Sequence, residues 1–260
     1  MATEPSDFQV ASRDIYSKPD VVAFYARQKT LYPAEQTIFR DYASLIANGR
    51  VLDIGVGGGR TTWFLAGTTA MYVGVDYAEP MVEACIENFR TVFPKARFEV
   101  ADARDLSQLT VPGGYDFILF NGNGIDHLTE EHRDEVLRSI RTLCSERTVF
   151  CFSSHNLLWL LRKLPSSFGW SGIFDFLTVH IMRRMNRRVD LNRDTSIAVL
   201  NDLAHRGSKA AYVHPEIEIT RVERAGFRVV RMLSDRDGLP VAMSPASARD
   251  CWLYYVCEPT

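Results

Sequence analysis

From about residue 50 the chain alternates between two patterns of apolar and polar positions. Short runs that are apolar throughout read as buried strands: RVLDIG (50–55), MYVGVD (71–76), RFEVADA (97–103), YDFILFN (115–121) and RTVFCFSS (147–154). Between them lie segments whose apolar residues recur every three or four positions, the period of an amphipathic helix. GRTTWFLAG (59–67) predicts a short helix. EPMVEACIENFRTVF (79–93) carries a stripe of Met81, Val82, Cys85, Ile86, Phe89 and Phe93, and EEHRDEVLRSIRTLC (130–144) one of Val136, Leu137, Ile140, Leu143 and Cys144. Fully apolar strands separated by amphipathic helices imply a parallel sheet covered on both faces. The expectation is an α/β, doubly wound fold, with ligands bound outside the carboxyl ends of the strands.

The alternation breaks at 156–213. That stretch holds the apolar patches LLWLL (157–161) and IFDFLTVHIM (173–182), the Gly/Ser/Pro-containing KLPSSFGWSG, and the basic run RRMNRRVDLNR. Regularity returns at HPEIEITRVERAGFRVVRML (214–233), where Pro215 suits a first helical turn and Gly226 a helix end. CWLYYVCE (251–258) closes the chain as an aromatic strand, after the turn-rich SDRDGLPVAMSPASARD. Residues 1–48 read as mainly helical, with tyrosines at 16, 25, 32 and 42. The expected division is a helical segment at 1–48, a core at 49–155 and 214–260, and an insertion at 156–213.

Composition narrows the classes. A chain of 260 residues, 46% hydrophobic, can bury one large core. A net charge of −2 and a pI near 6.3 give no global pull toward nucleic acid, so no DNA partner is expected. MATEPSD at the start lacks the basic and apolar regions of a signal peptide, and the apolar patches are too short or interrupted for stable membrane insertion. Five cysteines, odd in number and without CxxC pairing, fit reduced thiols in a cytoplasmic protein, and no metal site is expected.

VLDIGVGGGR (51–60) carries the most chemistry. A dinucleotide loop wants G-x-G-x-x-G, but counting from Gly55 the third glycine falls on Arg60, and from Gly57 on Thr62. Asp53, just before the glycines, would repel a pyrophosphate. A cationic ligand with a ribose diol suits it better. Here the sequence resembles the class I S-adenosylmethionine-dependent methyltransferases. Asp53-Ile-Gly55-Val-Gly57-Gly-Gly59 looks like their D-x-G-x-G-x-G motif, and Asp76 sits where their ribose-binding acid lies. YAEPMVEA resembles their following helix opening, with Tyr77 first and Met81 on the adenine side. Ala101-Asp102-Ala103 resembles the segment that meets the adenine amine, and HPEIEITRVERAGF their helix before strand six. The resemblance covers 45–155 and 214–260. It implies a Rossmann-like, seven-stranded sheet, mostly parallel with the last strand antiparallel. It also implies S-adenosyl-L-methionine as cofactor, S-adenosyl-L-homocysteine as product, and Asp53, Gly55, Gly57, Gly59, Asp76, Tyr77, Met81, Asp102, Ala103 and Asn121 as cofactor-binding residues.

Methyl transfer is an in-line displacement that requires positioning, exclusion of water and sometimes removal of a proton. FNGNGIDHL (120–128) lacks the N/D-P-P-Y/F pattern of base-amino methylases. Asp126-His127 offers a proton acceptor and His155 a second, against the plainer readings of a helix-start cap and a strand-end hydrogen bond. The insertion is expected to be a helical lid over the acceptor pocket. Its basic residues, among them Lys163, Arg183, Arg184, Arg187, Arg188, Arg193 and Arg206, suit an anionic acceptor or simply a solvated face. LLWLL fits either a hydrophobic pocket or a homodimer contact. The expected function is methyl transfer to an oxygen or nitrogen of a small-molecule biosynthetic intermediate. The alternatives are a protein or RNA methyltransferase, and a non-catalytic cofactor-binding regulator.

Overall fold

The computed structural model describes residues 7–162, 170–192, 194–203, 208–242 and 248–260. The KLPSSFG part of the Gly/Ser/Pro stretch, most of MATEPSD, part of the turn-rich connection, and Lys163, Arg193 and Arg206 of the basic set lie outside the described residues.

Among the described residues nine strands form one sheet: β1 (Arg50–Ile54), β2 (Met71–Asp76), β3 (Arg97–Val100), β4 (Tyr115–Phe120), β5 (Cys144–Asn156), β6 (Ile197–Asn201), β7 (Lys209–Val213), β8 (Phe227–Ser234) and β9 (Trp252–Pro259). The helices are α1 (Asp7–Tyr16), α2 (Pro19–Ala26), α3 (Pro33–Asp41), α4 (Ala43–Ile46), α5 (Thr62–Leu65), α6 (Glu79–Phe89), α7 (Glu130–Thr142), α8 (Leu157–Leu161), α9 (Trp170–Met185) and α10 (Pro215–Arg224). The order β3-β2-β1-β4-β5 is parallel throughout, and β9 runs antiparallel to β5 and β8.

Strand periodicity builds the two faces. Leu52, Ile54, Val73, Val75, Ile118, Phe120, Phe150 and Phe152 enter one buried cluster with α7, while Val51, Tyr72, Phe117, Leu119, Val149 and Cys151 enter the other with α3. β1, β2, β4 and β5 are therefore buried on both sides, which is why they read as continuous apolar runs, whereas β3 at the sheet edge has no fully buried residue.

This is the expected Rossmann-like, mostly parallel sheet with its last strand antiparallel, and it gains two strands. The insertion is not wholly helical. After α8 and α9 it folds back as the β6–β7 hairpin, and β7 joins β5 in parallel through His155↔Tyr212 and Asn156↔Val213. Ala198, Leu200 and Tyr212 bury against Leu157, Trp159, Val179 and Met182, giving this unit a small core of its own.

Candidate active site

The carboxyl ends of β1, β2 and β4 open into a cavity of about 580 Å³, as the doubly wound topology dictates. The cavity wall includes Asp53, Gly55, Gly57, Asp76, Tyr77, Met81, Asp102, Ala103 and Asn121. Gly59, the tenth residue that the resemblance implies, is not there. At φ +84° its missing side chain leaves room for the Phe89 ring of α6, so it serves packing rather than the ligand. Gly57, at φ +54°, has nothing within 4 Å of where a Cβ would stand. Backbone there faces the cavity bare, and a branched side chain would fill it.

Asp76 ends β2 almost fully buried. Its Oδ2 accepts from Gly57 N–H at 2.9 Å and its Oδ1 from Ala78 N–H at 2.9 Å. One carboxylate thus ties the glycine loop to the start of α6. Burial pushes its pKa up to about 6, against the opposing pull of those backbone bonds. Each oxygen keeps a lone pair for a hydroxyl donor. Asp53 is likewise raised to about 6 by burial. Its Oδ2 accepts from Thr61 Oγ1 at 2.5 Å and Tyr72 Oη at 2.8 Å, so it is held by side chains rather than by the loop amides. Asp102 is held by Arg104, which reaches both carboxylate oxygens and also bonds one through its backbone N–H. Burial would raise this acid, but the Arg104 bonds outweigh it and hold it below the usual carboxylate range.

The roof is not the one expected. None of the described residues of 156–213 lines the cavity; Ser12, Arg13, Asp14, Tyr16 and Tyr25 of α1 and α2 do. In the described residues the amino-terminal helices, not the insertion, cover the site, and the insertion meets the cavity wall from outside through the Lys209 carbonyl on His127. Val21, Ala78 and Met81 form a small core with Tyr16 and Tyr25 that seats this roof. A Cβ on Gly58 would stand 2.3 Å from Ala26 N, so only glycine lets the end of α2 rest on the loop. Farther along, Glu35 is fully buried. It accepts from Arg60 Nη1 and Nη2 at 2.5 and 2.6 Å, from Asn121 Nδ2 at 2.8 Å and from Tyr32 N at 2.8 Å. This fourfold-bonded carboxylate clamps α3, which follows the roof helices, to both the glycine loop and the end of β4. Asn121 is thus a cavity residue whose amide also serves the clamp.

His127 lines the cavity, on the 3₁₀ turn after β4. Its Nδ1 lies 3.2 Å from the Lys209 carbonyl, which can only accept, so Nδ1 carries the proton. Nε2 is then a lone pair that accepts from the Tyr16 hydroxyl at 3.1 Å. Burial lowers the His127 pKa to about 4, keeping it neutral near pH 7. His155 is elsewhere. It is 1% exposed and absent from the cavity wall, with Nδ1 2.7 Å from Asp126 and Nε2 3.3 Å from Asp202. Asp126 in turn pairs with Arg133, which pairs with Glu218, all fully buried. The expectation that His155 removes a proton is corrected on this geometry. Both its ring nitrogens are committed to carboxylates that join the β4–β5 edge to the β6–β7 hairpin.

Tyr16, Tyr25, Glu35, Arg60 and Arg104 were not singled out from sequence. The tyrosine spacing in 1–48 was the only trace of them.

Residues 51–147 match the family model described as a methyltransferase domain. No curated protein matches the chain by sequence. Among solved structures, the CcbJ methyltransferase of Streptomyces caelestis superposes with a TM-score of 0.65 at 16% identity, over 95% of this chain and 98% of that one. An S-adenosylmethionine-dependent methyltransferase of Clostridium acetobutylicum gives 0.61 at 12%, covering 88% and 92%. The magnesium protoporphyrin IX methyltransferase of Synechocystis, solved with bound S-adenosylmethionine, gives 0.58 at 13%, covering all of both chains. At these identities the likeness is one of fold.

The donor set fits the cofactor. Asp76 offers acceptors that a diol would suit, Asp53 a carboxylate that a cationic group would suit, Met81 an apolar wall, and Gly57 bare backbone that a Cβ would obstruct. Residues 51–147 are thus matched as a methyltransferase domain, and the groups on its cavity fit S-adenosylmethionine as the cofactor of a methyl-transferring enzyme.

Proposed function

We propose that the enzyme methylates an oxygen or nitrogen of a small, anionic acceptor, and that it works in the cytoplasm. The observation that carries this reading is the roof. Helices α1 and α2 close over the same cavity that holds the cofactor residues, and about 580 Å³ is the scale of a small-molecule site. The Synechocystis neighbour, named for a magnesium protoporphyrin, supports a small-molecule acceptor as well.

When bound, S-adenosylmethionine supplies an electrophilic methyl group on a sulfonium. The chain's own residues do the rest. Asp76 and the Gly57 loop hold the ribose and methionine portions, and Met81 the adenine. Tyr16, fixed by its hydrogen bond to His127, presents its hydroxyl oxygen to the cavity and orients the acceptor. His127 at a pKa of about 4 is a weak base, so it acts through Tyr16 by positioning rather than by taking the acceptor's proton. The acceptor therefore arrives already nucleophilic, as an anionic oxygen or a neutral amine. Arg60 and Arg104 are committed to Glu35 and Asp102, whereas Arg13 lines the cavity with no ion pair among the described residues. Arg13 recognises the acceptor's negative charge.

An acceptor-library screen with methyl-labelled cofactor tests the reading. Label should enter small acids, and Arg13→Ala should raise KM for them while leaving S-adenosylhomocysteine affinity unchanged. Label entering only protein or RNA would sink it, and so would tight cofactor binding without turnover on any acceptor.

A further inference from the structure

Helix α9 is apolar on both sides. Val179 and Met182 pack into the small core with Leu157, Trp159, Ala198 and Leu200. On the other side Phe174, Leu177, Ile181 and Met185 are 64%, 51%, 51% and 45% exposed, and their spacing of three and four residues makes one continuous stripe. A helix packed on a globular core ordinarily gives that side to charged residues. An exposed stripe of this kind marks an interaction surface.

The charges around the stripe identify its partner. Asp175, the one acid between residues 172 and 189, is turned inward. It accepts from Trp159 Nε1 at 2.9 Å and pairs with Arg162 and Arg236. Arg183 is half-buried near Arg162, and burial lowers its pKa. Arg184, Arg187 and Arg188 are exposed. The stripe therefore ends in three guanidiniums with no exposed carboxylate among residues 172–189. It is also held rigidly. Asn186, just past α9, donates to the Asn201 carbonyl at 3.1 Å and accepts from Asn201 N–H at 2.8 Å, pinning the helix end to the edge strand β6. None of these residues lines the cavity, so the stripe is not the acceptor site.

We propose that α9 docks the enzyme on an anionic lipid surface, its apolar stripe in the headgroup boundary and Arg184, Arg187 and Arg188 on the lipid phosphates. This is the pattern of a helix that lies in the interface plane. Among the described residues no helix is long and apolar enough to cross a membrane, so the docking is peripheral. A second copy fits the stripe less well. Two-fold pairing through this helix would bring both sets of arginines together, with Asp190 just beyond them as the nearest exposed acid.

The full chain is to be sedimented with vesicles of phosphatidylcholine, and with vesicles in which phosphatidylglycerol is mixed in. Binding to the mixed vesicles alone is expected. Each cation near an anionic surface strengthens attachment about fivefold, so Arg184→Gln/Arg187→Gln/Arg188→Gln should weaken partitioning by about a hundredfold. Leu177→Glu/Ile181→Glu should abolish it. Both variants should bind S-adenosylhomocysteine like the parent, showing that the fold is intact. Parent protein that ignores phosphatidylglycerol, or variants that partition like the parent, would overturn the proposal. So would a dimer in sedimentation velocity that Leu177→Glu/Ile181→Glu dissociates while vesicles go unbound.

Discussion

Replacing Asp76 by alanine separates its two roles, because the structure predicts opposite consequences for fold and for ligand. In the folded protein the Asp76 carboxylate sits at a pKa of about 6, against 3.8 for a free side chain. That shift is an electrostatic burden of about 3 kcal/mol on the ionised form near pH 7. Asp76→Ala removes the burden but leaves the Gly57 and Ala78 N–H groups without their acceptor, at about 1–3 kcal/mol each. The two effects nearly offset, so Tm should move little. Cofactor binding has no such compensation. Hydrogen bonds from two ribose hydroxyls to a charged acceptor, less their solvation in water, are worth about 2–3 kcal/mol. S-adenosylhomocysteine should bind roughly 30- to 160-fold more weakly by calorimetry. If Asp76→Ala binds it within a few-fold of the parent, the carboxylate is only a structural tie between the glycine loop and α6, and the ribose assignment fails.

Gly57→Val should abolish S-adenosylhomocysteine binding, since a branched Cβ at φ +54° is strained and stands in the open cavity; retained binding in calorimetry would move the ligand elsewhere. Cofactor affinity should be flat above pH 6 and fall about tenfold per unit below it, because protonating Asp76 removes an acceptor; a flat profile down to pH 5 would refute this. Fold stability runs the other way for Asp53 and Asp76. Their raised values give stability that is present below about pH 4 and lost as pH rises through about 6. The depressed His127 opposes them, with stability present above about 6.5 and lost as pH falls toward 4. Glu35→Ala leaves Arg60 buried without its partner and should destabilise by about 3–5 kcal/mol. Hydrogen exchange should show α1–α3 opening first, and uniform exchange would count against the clamp.

The parts of this site legible in the sequence are those set by local spacing. The strand-then-glycine run, the acid that ends β2 and the stripes of α6 and α7 each follow from neighbours within a few residues, and so does the parallel sheet they build. What was missed depends on contacts between distant segments. Glu35 meets Arg60 and Asn121 across 25 and 86 positions, and Tyr16 meets His127 across 111. No periodicity announces such pairs. His155 misled for a related reason. A polar residue ending a strand at the ligand edge looks available until Asp202 arrives from the β6–β7 hairpin and Asp126 from the β4 side. The insertion's basic run suggests an anion-binding lid, whereas among the described residues the roof comes from the amino-terminal helices.

The cavity beneath α1 and α2 is a cradle for a cationic sulfonium cofactor and its product, not for a dinucleotide. Calorimetry of the intact chain with S-adenosylhomocysteine and with NAD, side by side, tests it most directly. A saturable heat for S-adenosylhomocysteine is expected, lost in Gly57→Val, and none for NAD. Saturable NAD binding with no heat from S-adenosylhomocysteine would contradict it.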